Sequence, residues 1–90
     1  MIRFLTRWLA RRRARRRRWQ TDARLLAISD PAGSYYEAQR RAFHSRSTGD
    51  LYEFWYWSKV ASEIARIEPR AEIDFAVLKA VSDQEEAGRR

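Results

Sequence analysis

Seven guanidiniums stand within eight positions: Arg11, Arg12, Arg13, Arg15, Arg16, Arg17 and Arg18, followed at once by Trp19. A guanidinium is planar, charged at every physiological pH, and presents a fork of donors that matches phosphate oxygens. A run this dense can neutralise several phosphates and release their counterions, so the affinity is expected to fall steeply with salt. It carries no sequence code, because phosphate contacts position a protein without specifying a base. The expected ligand is a polyanion, with nucleic acid favoured: arginines on all sides of a helix suit a groove or a folded RNA better than a flat surface. Trp8 and Trp19 would add stacking. The plainer reading is a solvated basic tail with no ligand. Lysine would serve such a tail equally well, yet 17 of the 19 bases are Arg.

Upstream of the run, Ile2, Phe4, Leu5, Trp8 and Leu9 share one side of a helix at about 100° per residue, with Arg3, Thr6 and Arg7 on the other. A basic amphipathic helix containing Trp can lie in a lipid interface, which makes an anionic membrane surface the second candidate partner. Five apolar residues form a short anchor. The third reading is that this stripe docks on the protein's own body. There, Tyr52 and Trp55, with Leu51 beside them, project away from the apolar face of their helix. They suggest a protein-partner or homo-oligomer surface, or a platform for bases. The competing expectation is that residues 2–9 or the C-terminal helix cover them. Lys59, four residues after Trp55, is placed to stack on it.

Other chemistry finds little material. Cysteine is absent, so disulfides, cysteine-based metal sites and a thiol nucleophile are excluded. His44 is the single histidine, and Glu37 and Asp50 do not line up with it as ligands. Ser45 next to His44 points about 100° away on a helix, with no orienting acid. With three glycines there is no phosphate-cradling loop. No enzyme, metal or cofactor is expected.

The elements that carry these residues follow from charge and periodicity. The chain has 90 residues, enough for one small domain. Residues 1–24 hold ten Arg and one Asp, a net +9, while residues 25–90 are near neutral at −2. Arg12 and Arg16 point where Leu5 and Leu9 point, and a core cannot accept unpaired guanidiniums. Residues 1–20 therefore read as a solvated basic arm, helical at most and ordered by bound anions. A short helix over 22–29 ends at Asp30-Pro31-Ala32-Gly33. Ser34 with Glu37 forms a capping-box pattern for a helix from Tyr35 to about Ser45, and Gly49 supplies a left-handed stop. Asp50 with Glu53 caps a helix from Leu51 to about Ile67, whose apolar face is Phe54, Trp57, Val60, Ala61, Ile64 and Ile67. Pro69 ends it. Residues 72–82 fit a strand or a helix, and helix is preferred because no second strand exists to pair with. Residues 83–90 read as a flexible tail.

The expected fold is all-α: a small three- to four-helix domain over 21–82, built on a central antiparallel helical hairpin and preceded by the Arg-rich N-terminal helical arm. Small Ala38 and Ala42 would let Phe54 and Trp57 pack closely. The core is small enough that a protein partner or a second copy is expected to complete it.

Tyr35-Tyr36-Glu37-Ala38-Gln39-Arg40-Arg41-Ala42, then Gly49-Asp50, then Trp57-Ser58-Lys59-Val60-Ala61-Ser62-Glu63-Ile64-Ala65-Arg66 resembles small uncharacterised helical proteins of proteobacterial type. The resemblance covers about half of the chain. It implies a helical fold and a bacterial source, and it transfers no activity and no site. The hairpin is also loosely similar to a single tetratricopeptide unit, and no second unit follows. Arg3 and Arg7 interrupt the one apolar stretch that could serve as a secretory signal. In a eukaryote the acid-poor, Arg-rich start would resemble an organelle transit peptide. Otherwise a cytoplasmic location is expected, with membrane association under the lipid reading.

Overall fold

The computed structural model describes residues 2–88. Four helices follow one another: α1 (Ile2–Ser29), α2 (Ser34–Ser47), α3 (Leu51–Ile67) and α4 (Phe75–Gly88). The fold is all-α, as the periodicity predicts.

Small side chains bring α1, α2 and α3 together. Ala23 on α1, Ala38 on α2, and Val60, Ala61 and Ile64 on α3 are fully buried and form one cluster. Alanines at these positions let helix backbones approach closely. Trp19, Leu26, Tyr35, Tyr56, Trp57 and Ile67 pack around the cluster and are partly buried. Val60 and Ile64 are the two largest apolar side chains fully enclosed, each contributing about 1.5–3 kcal/mol by leaving water. The α2–α3 hairpin is the backbone of the fold. Its turn is a Schellman motif: Gly49 N–H donates to the Arg46 carbonyl at 3.1 Å and Asp50 N–H to the Ser45 carbonyl at 2.8 Å. The motif requires a left-handed residue, and Gly49 has φ +82°.

The second helix start follows the sequence pattern, and the first departs from it. Asp50 accepts the Glu53 N–H at 3.0 Å. Glu53's carboxylate completes no capping box; it accepts from the Trp57 indole at 3.1 Å. At α2 the cap is Gly33, and Ser34 lies inside the helix. Ser34 is buried, and its hydroxyl donates to the Pro31 carbonyl at 3.0 Å. Asp30 takes up the Gly33 N–H at 3.1 Å. The expected Ser34–Glu37 box is absent because Ser34 lies one position inside the helix, so the Glu37 N–H donates to the Gly33 carbonyl at 3.0 Å; the Glu37 carboxylate accepts from Arg40 and Arg41 instead.

The preferred helix over 72–82 is found, displaced toward the C-terminus. The Asp74 carboxylate accepts from Ala76 N–H at 2.8 Å and opens α4. The helix runs through Gly88, where a flexible tail from residue 83 was expected; residues 89–90 of that tail lie outside the described residues. Two side-chain attachments hold this stretch: Lys79 pairs with Asp83 at 2.9 Å one turn on, and Glu85 reaches Arg40 at 3.4 Å and His44 at 3.2 Å on α2. With Asp74 N–H donating to the Tyr36 hydroxyl at 2.9 Å, these contacts run in the same order along both segments, so α4 lies parallel to α2.

Candidate functional site

The Arg run lies in the middle of one continuous helix. The arm and the short 22–29 helix, read separately from the sequence, are a single 28-residue element, about 42 Å long at 1.5 Å per residue. No break occurs at residues 20–21. Three physical reasons account for this. Arg is a good helix former. No Gly or Pro occurs between Ile2 and Ser29. The docked C-terminal third also supplies the nucleus that an isolated helix must form at a cost.

What docks that third is specific. Ala23 and Ala27 are buried. The Tyr56 hydroxyl of α3 donates a hydrogen bond to the Asp22 carboxylate of α1. Burial, then the Asp22 bond and charge, push the Tyr56 phenol well above its ordinary pKa, with Arg18 pulling the other way. Asp22 is the only acid before Asp30, and it serves as the electrostatic latch of the helix.

Residues 2–18 are all exposed. Among the described residues, none of the arginines of α1 forms an ion pair. Arg12 lies over the Trp8 ring, 4.8 Å from its centroid. The apolar stripe of Ile2, Phe4, Leu5, Trp8 and Leu9 is 45–82% exposed. The reading in which it docks on the body is therefore set aside: Arg12 and Arg16 follow it on the same face and hold that face off the core.

Arg12, Arg13 and Arg16, with Leu9 and Trp19, form one wall of a cleft of about 580 Å³. Lys59, Ser62, Glu63 and Arg66 of α3 form the other. Glu63 is its one carboxylate. It bonds the Arg66 guanidinium, with one leg at 3.2 Å. That bond, opposed by partial burial and aided by the charges of Arg66, Arg16 and Arg24, holds Glu63 below the usual carboxylate range. Five cations thus face one spoken-for anion, and the cleft is electropositive. A smaller adjoining hollow of about 180 Å³ is lined by Arg15, Trp19, Tyr52, Trp55, Tyr56 and Lys59. Trp19 and Lys59 border both spaces, so the two lie side by side along the α1–α3 groove.

Of the seven run arginines, the structure brings Arg12, Arg13, Arg15 and Arg16 to this groove, while Arg11, Arg17 and Arg18 line neither space. Trp19 is half-buried against the core and presents only part of its ring. Leu51, Tyr52 and Trp55 are exposed, and neither residues 2–9 nor α4 covers them. Lys59 turns away from the stacking partner expected for it: its ammonium sits over Trp19 at 6.0 Å, drawn across to α1. Lys59, Ser62 and Arg66 lie off the apolar face expected for α3, and sequence reasoning does not find them as a wall of the groove. Their spacing of three, then four, was the signal that they share a side, and only the docking of α1 reveals which neighbour that side meets.

Among the described residues no cluster of His, Asp and Glu could hold a metal ion, and no helix is long and apolar enough to cross a membrane. No protein-family model, curated protein or solved structure matches the chain.

Proposed function

We propose that this is a non-enzymatic binding protein whose Arg-rich helix contacts a polyanion, nucleic acid by preference, while its helical body contacts a protein partner. The observation that carries the reading is the exposure of every guanidinium from Arg11 to Arg18 on one continuous helix, with none of them in an ion pair among the described residues. A helix normally relieves such a density of like charge with acids three or four residues away. Here only Asp22, four residues after Arg18, stands at that spacing, so most of the repulsion is left in place, and phosphates would relieve it.

Replacing all seven run arginines with Gln tests this. The helix propensities are similar, so far-UV circular dichroism is expected to stay unchanged. Nucleic-acid affinity is expected to fall by about a thousandfold or more at low salt, and the steep salt dependence to disappear. An affinity that is flat with salt in the native protein would remove the phosphate reading.

One observation favours a second reading, a peripheral membrane adaptor: the exposed stripe from Ile2 to Leu9 continues directly into the cations. An anionic leaflet would contribute about 1 kcal/mol per nearby base, and flotation with anionic vesicles tests it. Under this reading, Leu5→Asp removes binding while Arg-to-Lys changes in the run are tolerated.

A further inference from the structure

We propose that the groove between α1 and α3 is a site for single-stranded nucleic acid, with α3 as its second wall. The phosphates lie on Arg12, Arg16 and Lys59, and bases stack on Trp55 and Tyr52. This inference rests on the polyanion reading above and goes beyond it, because that reading concerns one helix and leaves the form of the strand open.

The argument starts from what lies beside the charge. An arm that binds only phosphate needs no aromatic wall. Yet the cationic cleft adjoins a hollow lined by the rings of Trp19, Tyr52, Trp55 and Tyr56, and Trp19 and Lys59 line both. Trp55 and Tyr52 at its edge are 63% and 55% exposed. Trp55 already meets Phe54 edge-on at 6.2 Å, which steadies the ring. A small domain ordinarily buries such residues, because each removes a large apolar area from water. Here Val60, Ala61 and Ile64 take the inward face of α3, and the two rings are left outside.

Bases in a duplex are stacked on one another and cannot reach a ring on the protein. In a single strand each base has a face to offer, and an electropositive groove flanked by aromatics holds such strands with little regard to sequence. A lipid surface is less suited: it is flat, whereas Lys59 and Arg66 lie across a cleft from the run. Glu63 sits in that cleft as the counter-charge that keeps Arg66 in place.

The experiment uses the intact protein with a fluorescein-labelled oligouridine and an RNA duplex of equal phosphate count, read by anisotropy at matched salt. The single strand is expected to bind about tenfold more tightly. Trp55→Ala and Tyr52→Ala are each expected to lower single-strand affinity about fivefold to tenfold and to leave duplex affinity unchanged. Lys59→Glu is expected to do the same through the α3 wall, where a site confined to the N-terminal run would not register it. All three side chains are exposed, and circular dichroism confirms that each variant keeps its helices. If the duplex binds as tightly as the single strand, or if the three variants are silent, the groove proposal falls while the phosphate reading stands. If neither nucleic acid binds at low salt, both fall. In that case, capture by vesicles of phosphatidylglycerol and phosphatidylcholine would leave the membrane reading in their place.

Discussion

Arginine does two kinds of work in this molecule, and the contrast between α2 and α1 separates them. On α2, Arg40 and Arg41 bond the Glu37 carboxylate at 2.7 and 2.9 Å. Arg40 also reaches Glu85. Arg41 lies over the Trp57 ring at 4.6 Å, and Arg46 lies between Phe43 and Phe54 at 5.6 and 5.9 Å. Each of these guanidiniums is an internal fastener. On α1, the same side chain at higher density forms no ion pair among the described residues; Arg12 lies over the Trp8 ring and Arg24 reaches the Thr21 hydroxyl. The residue type does not decide the role. The acids around it do: Glu37 precedes Arg40 by three and Arg41 by four, whereas no acid precedes Asp22 in α1.

The contrast can be broken most sharply by giving α1 an acid of its own. Arg12→Glu would place a carboxylate four residues before Arg16, the favourable order for a helical pair. It is expected to leave the helix intact, to weaken oligonucleotide binding by about tenfold or more, and to lower the salt slope by about one or two contacts. Fluorescence titration across a salt series measures both.

On α2 the corresponding loss is structural. Arg41→Ala removes an ion pair and a stacked cation at the α2–α3 interface, and is expected to cost about 1 kcal/mol in urea denaturation while leaving nucleic-acid affinity untouched. Glu37→Gln is expected to cost about 0.5 kcal/mol at neutral pH, because the pairs it breaks are partly exposed and screened. The bond from Arg40, with that from Arg41, holds the Glu37 carboxyl below its ordinary range against the opposing effect of burial. Its contribution is therefore present above the unfolded carboxylate pKa of about 4.3 and is lost as pH falls through the lower native value. Native and variant proteins should converge in stability in acid. The smallest change expected is at Arg13→Gln, which should move stability by less than about 0.5 kcal/mol. A larger loss would mean that the run is a fastener after all.

The fold was legible where local chemistry is decisive. The α2–α3 hairpin, its Gly49 stop, the Asp50 cap and the apolar face of α3 are all encoded within a few residues of where they act. The continuity of α1 was not legible. Charge crowding argued against order, and the opposing influence, docking of Ala23 and Ala27 with the Asp22–Tyr56 latch, comes from 34 residues further along the chain. The C-terminal extension of α4 was hidden for the same reason, since Glu85 finds Arg40 and His44 only after the helices have assembled. At the candidate site, composition exposed the α1 wall and hid the α3 wall: Lys59 and Arg66 are two ordinary surface cations until a neighbouring helix faces them.

The uninterrupted α1 also sets how the protein would ride on whatever it holds. With the helix unbroken between residues 18 and 19, the bundle would be carried at a set angle to a ligand of the run. It arrives at one bearing, like the head of a key fixed to its shank. Molecules seated along a common strand would be spaced by the girth of their own bundles, and crowding along that strand would be limited by collision between neighbours well before its phosphates ran out.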